Sequence, residues 1–190
     1  MIELPDLLTV LEDFTSRLDR ISIDYMLTGS MALVHYAAPR NTADIDLVID
    51  LSDRNFEKFL GEFESDYYIP PTSAKRAVAE KRMFNALNQA SIVKVDCAVR
   101  KDTEFHREAF SRRKQTSYSG DFDIWIITRE DLIISKLLWA KESKSEMQMR
   151  DVGNIVRHGY EEGYVHSWCK KLGIDQILKE VLDSFETDET

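Results

Sequence analysis

The sequence predicts an α/β (α+β) protein with a mixed β-sheet flanked by helices and a C-terminal helical segment. Three patterns support this. Leu7, Leu11, Phe14, Leu18 and Ile21 repeat on one face of a helix. Residues 43–49 and 91–99 are β-type runs whose side chains alternate between the two faces of a sheet. From Asp131 to about Phe185 the pattern is that of a long helical hairpin or small bundle. With 190 residues, 43% hydrophobic and 31% charged, the chain can bury one core but is short for two full domains. We therefore expect a core over 1–128 and a helical extension over 129–190, packed together as one compact unit.

Taken in order, the first helix spans about 5–20, and its apolar stripe covers the sheet. Residues 24–27 form a short strand that runs into Thr28-Gly29-Ser30, and residues 31–38 return to helical spacing. After the strand at 43–49, Ser52-Asp53 opens a helix whose Phe56, Phe59, Leu60 and Phe63 share one side, a core stripe rather than a cofactor box. Pro70-Pro71 breaks the chain, and a short helix follows over 74–80. Residues 83–87 and 92–99 form a hairpin across a turn at 88–90. A helix over 105–113 and a strand over 122–127 come next, and Thr128-x-x-Asp131 is a capping box that starts the helical segment.

The chemistry concentrates in three places. Asp44 and Asp46, two apart on a strand, point the same way, and side-by-side carboxylates repel unless a cation lies between them. Hard oxygen pairs of this kind suit Mg²⁺ or Mn²⁺ held jointly with phosphates. Upstream, Gly29-Ser30 sits between a strand and a helix start, where a glycine admits a phosphate closely and free N–H groups with the helix dipole favour an anion. Each feature also has a plainer reading, since Gly-Ser serves as an ordinary turn and N-cap and Asp-x-Asp as a cap on a strand end. The third place is Asp96, which shares a face with Lys94 and Ala98 while Val93, Val95, Cys97 and Val99 take the other. Three acids from two strands make a metal and base cluster.

These residues together, Gly29-Ser30, the block Arg40-x-Thr42-x-Asp44-x-Asp46 and the strand Lys94-Val95-Asp96, resemble the nucleotidyltransferase superfamily with its polymerase-beta-like core. More narrowly, Glu130-Asp131-Leu132-Ile133 with Lys136-Leu137 resembles a helix of AbiEii-type and MNT-like bacterial proteins. The resemblance implies a polymerase-beta-like nucleotidyltransferase fold, with Gly29, Ser30, Arg40, Thr42, Lys136 and Asp151 on the nucleotide. It further implies Asp44, Asp46 and Asp96 as metal ligands and catalytic groups, with Lys136 beside them.

Spacing places Lys136 on or beside the apolar stripe of its helix, where a lysine either meets an anion or snorkels. Asp151 borders the stripe of a later helix, in position to orient Lys136 or Arg40, or to form a structural ion pair. Arg150, before it, stands where the related pattern commonly has lysine.

A formal net charge of −9 argues against duplex DNA as a partner. The longest apolar stretch falls short of a membrane span, and the N-terminus lacks a signal core, so a cytoplasmic location is expected, with no membrane partner. Cys97 and Cys169 are neither a disulfide framework nor a CxxC pair, and the four histidines lack zinc spacing. The sequence thus points to an enzyme that takes an NTP with Mg²⁺ (or Mn²⁺) and moves a nucleoside monophosphate onto an acceptor hydroxyl, with RNA, protein and small molecules all open as acceptors. A toxin–antitoxin or defence role and a cognate regulatory protein follow only from the AbiEii resemblance. The alternative is a catalytically weak nucleotide-binding regulatory or antitoxin-like module on the same fold.

Overall fold

The computed structural model of the chain describes residues 4–37, 42–120 and 122–186. Helix α1 (Leu4–Arg20) lays Leu7, Leu11, Phe14 and Leu18 on the core and leads to β1 (Tyr25–Leu27) and α2 (Gly29–Tyr36). Next come β2 (Asp44–Ile49), α3 (Phe56–Phe63), β3 (Tyr67–Tyr68) and α4 (Pro71–Ala79). The hairpin is β4 (Met83–Asn88) and β5 (Lys94–Val99), and α5 (Glu104–Ser111), β6 (Lys114–Tyr118) and β7 (Phe122–Ile126) complete the sheet region. Helices α6 (Arg129–Ser143), α7 (Glu146–Val156), α8 (Glu162–Leu172) and α9 (Asp175–Glu186) follow.

Among the described residues the strands make one seven-stranded sheet in the order β3-β4-β5-β2-β1-β7-β6. It is mixed: β2 runs parallel to β5 and antiparallel to β1, and β1 runs parallel to β7. The period of two along the central strands sorts its faces. Ile45, Leu47 and Ile49 of β2 and Val95, Cys97 and Val99 of β5 are buried on one face. Phe84 of β4 meets Phe59 of α3 there at 5.7 Å between ring centroids, and Phe14 of α1 stacks on Phe63 at 4.3 Å. The opposite face is only half covered.

Three segments differ from the sequence expectation, the two-residue strand β3 being one. Residues 114–118 form an edge strand where none was anticipated, and the helix before them stops at Ser111. Lys-Gln-Thr-Ser-Tyr lacks alternating apolar residues because only Tyr118 faces inward, and its hydroxyl donates to the Met31 carbonyl oxygen at 2.9 Å. The second hairpin strand begins at Lys94 rather than at 91 or 92. Ile92 belongs to the turn, with φ +62° and 66% exposure, while Asn88 Oδ1 accepts from the Ala90 and Ser91 N–H groups and closes the loop.

The capping at Thr128 is as expected, its hydroxyl oxygen accepting from the Asp131 N–H at 3.3 Å. Helix α6 packs against α2 of the core and against α7, α8 and α9. Among the described residues no helix is long and apolar enough to cross a membrane.

Candidate active site

The half-covered face carries the acids. Register aligns its side chains in rows across β2, β5 and β4: Asp46 beside Asp96 beside Asn85, Asp44 beside Lys94 beside Leu87, and Val48 beside Ala98 beside Met83. The alternation that buries Leu47 and Cys97 therefore turns Asp46 and Asp96 toward the same space.

The turn after β1 closes one side of this space. The Thr28 N–H donates to the Asp46 carbonyl oxygen at 2.9 Å, which locks the turn to β2. Gly29 has φ +62°, and a Cβ there would fall 1.9 Å from Asp46 Oδ2, so both conformation and space require glycine. The Ser30 backbone N–H bonds the Asp46 carboxylate at the start of α2. Burial, reinforced by Asp96 and Asp44, nevertheless holds the Asp46 carboxyl above its ordinary range, against the opposing pull of Ser30 and Lys136.

A lysine answers much of this negative charge. Lys94 Nζ lies 2.9 Å from Asp96 Oδ2 and 3.3 Å from Asp44 Oδ2, so an ammonium bridges acids of two strands. Asn85 donates to the other oxygen of Asp96, fixing that carboxylate from β4. Among the described residues no three His, Cys, Asp or Glu side chains are gathered so as to hold a metal ion as they stand. The place between Asp44 and Asp96 is filled by Lys94. Cys97 and Cys169 are both buried thiols.

A cavity of about 590 Å³ lies over this face, with Gly29, Ser30, Thr42, Asp44, Asp46, Asp96 and Lys136 all on its wall. Thr42 also secures the start of β2, its hydroxyl donating to the Asp44 carbonyl oxygen at 3.2 Å. Lys136 is 4% exposed, its Nζ 2.7 Å from Asp151 Oδ2 and 3.1 Å from Gln148 Oε1. Of the two possibilities left by its spacing, it meets an anion within the fold. Asp151 stands behind Lys136 and off the cavity wall, Arg150 is exposed, and Arg40 lies outside the described residues.

Sequence reasoning passed over several contributors. Lys94 was on the right face but was not given a partner. Asn85 is found only through the β4–β5 register, and Gln148 only once α6 and α7 are docked. Asp131, noted for capping, is fully buried, accepts from Tyr164 OH at 2.7 Å and Thr128 Oγ1 at 2.6 Å, and pairs with Arg112 Nε at 3.1 Å. It ties α6 to α8 and to the end of α5.

Comparison with known proteins agrees with this fold. A nucleotidyltransferase-like antigen of Paracoccidioides brasiliensis superposes with TM-score 0.54 at 19% identity, over 83% of this chain and 77% of that one. A putative nucleotidyltransferase of Thermotoga maritima gives 0.53 at 17%, over 79% and 94%. The lincosamide antibiotic adenylyltransferase LnuA, bound to lincomycin, gives 0.50 at 13%, over 81% and 96%. At such identities the likeness establishes the fold. No curated protein matches by sequence. Residues 3–155, which include every described strand and Asp44, Asp46 and Asp96, match the family described as nucleotidyltransferase of unknown function (DUF6036), and the chain belongs to that family of nucleotidyltransferase enzymes.

Proposed function

We propose that this enzyme transfers a nucleoside monophosphate from an NTP, held with a divalent cation, to an acceptor hydroxyl. The observation that carries the proposal is the convergence of Asp44, Asp46 and Asp96 on one sheet face beside the glycine turn, at the wall of one cavity. The residues fit a cation by their own chemistry. Three carboxylates are hard oxygen donors of the kind Mg²⁺ and Mn²⁺ take, and the Lys94 ammonium already stands as a positive charge between two of them. When bound, Mg²⁺ or Mn²⁺ supplies charge neutralisation at the phosphate oxygens and eases ionisation of the acceptor hydroxyl.

The chain's own groups do the rest. The glycine turn seats Asp46 against the start of α2, and the β- and γ-phosphates approach there, where the Ser30 N–H exchanges Asp46 for a phosphate oxygen. Asp44 and Asp46 would hold the cation, and Asp96, oriented by Asn85, takes the proton of the acceptor hydroxyl. A new bond forms from that oxygen to the α-phosphorus, the bond to the β-phosphate oxygen breaks, and pyrophosphate leaves on the Gly29 side. Lys136, directed by Asp151 and Gln148, adds positive potential under the site. LnuA is a lincosamide antibiotic adenylyltransferase, and a small-molecule acceptor suits this chain as well. A toxin–antitoxin or defence role rests on the α6 motif alone.

The test is incubation of the purified protein with Mg²⁺, each α-labelled NTP and a cell extract, beside an Asp44→Asn/Asp46→Asn control. Label transferred by the parent and not by the control is expected. Metal-dependent NTP binding with no transfer across extracts from several sources would favour a binding module instead.

A further inference from the structure

We infer that the acceptor is a small molecule whose hydroxyl is carried on an apolar or aromatic body, seated in the apolar half of the cavity. This rests on the transfer reaction proposed above and assigns its second substrate. In-line displacement puts the entering oxygen opposite the leaving pyrophosphate. The pyrophosphate side is the Gly29 turn, which follows β1, on one flank of β2; β5 and β4 lie on the other flank. The acceptor therefore enters over β5 and β4.

The floor there is the row Val48, Ala98 and Met83, one side-chain repeat beyond the row of Asp46 and Asp96. Two residues along a strand span about 7 Å, so a body resting on the apolar row brings a hydroxyl to Asp96. Above the floor, Trp139 and Met147 reach the same cavity from α6 and α7. Met83, Trp139 and Met147 are 52%, 52% and 46% exposed. Of the six large hydrophobic side chains left exposed among the described residues, these three line one cavity, which marks a binding surface rather than scattered exposure.

The charges favour a small molecule over an RNA end. Among the described residues the cavity is lined by three cations. Arg100 pairs with Asp50 and Asp102, and Lys136 with Asp151, leaving Lys101 at the rim. A strand of RNA requires a basic track along its phosphates, which the described residues of this wall do not form.

The probe is anilinonaphthalene sulfonate, titrated against the full chain held with Mg²⁺ and a non-hydrolysable NTP analogue. One saturable probe site is expected, weakened about tenfold in Met83→Asn/Trp139→Ala, the loss of a well-seated aromatic contact. Nucleotide affinity should stay within about twofold of the parent, a small free-energy change. Both side chains are half exposed, so the variant should keep its fold, checked by thermal melting. If the variant instead loses nucleotide affinity, or the nucleotide displaces the probe, the apolar half holds the base and the inference fails. An undiminished probe site in the variant also overturns it, as does label carried into RNA by the parent. A parent that binds no NTP at all would sink the transfer reaction itself.

Discussion

Two of the sets of aspartates in contact with cations are built on opposite terms. Under α6, Asp131 and Asp151 are buried and answered: Asp131 by Arg112, Tyr164 and Thr128, and Asp151 by Lys136 at 2.7 Å. On the open sheet face, Asp44, Asp46 and Asp96 crowd together with one ammonium, Lys94, bridging two of them, and the Asp46 carboxyl is held above its ordinary range by burial. The first set is neutral in sum and specifies how helices dock. The second carries excess negative charge that the fold tolerates but does not resolve.

Substitutions should separate the two sets. The largest effect on stability belongs to Lys136→Met, which strips the buried Asp151 of its ammonium and should cost about 3–5 kcal/mol. Adding Asp151→Leu should recover most of the loss in urea unfolding. If the single substitution is harmless, the buried set is not structural.

Asp46→Asn should act in the opposite sense on stability while lowering transfer by about 10²–10³-fold, the scale of a preorganised electrostatic group. The sign follows from the raised carboxyl. Between the ordinary carboxylate range and that raised value the folded protein keeps a proton the unfolded chain has released, so stability falls as pH rises through the window. The metal-free variant should therefore melt above the parent at pH 7, with the gap closing toward about pH 4. A lower melting temperature at neutral pH would count against strain at this site.

Tyr164→Phe removes one donor from Asp131 and should destabilise by about 1–3 kcal/mol, read from the unfolding midpoint. Smallest is Lys94→Met. Without its internal competitor the acid set should bind Mn²⁺ about fivefold more tightly in the absence of nucleotide, measured by paramagnetic resonance, a change worth ~1 kcal/mol. Weaker binding would make Lys94 a supporting charge rather than a stand-in.

The sequence made the open set legible because alternation along a strand is strictly periodic: Asp44, Asp46 and Asp96 were assigned to their face before any pairing was known. The mixed sheet and its helical flanks were legible for the same reason. Contacts that require docking were not. Asp131 was visible as a cap, but Arg112 and Tyr164 come to it from 19 and 33 residues away, and Asn85 reaches Asp96 only through hairpin register. The edge strand β6 stayed hidden because it turns one residue, Tyr118, to the core. Lys136 illustrates the boundary well: its place on or beside the apolar stripe is legible from helix spacing, while its burial and its partner depend on how α7 is placed.

The missing side chain of Gly29 leaves the room that the Asp46 carboxylate occupies, and the clash at 1.9 Å leaves no intermediate option. On the transfer reaction proposed above, Gly29→Ala should therefore silence this chain as fully as removing Asp46.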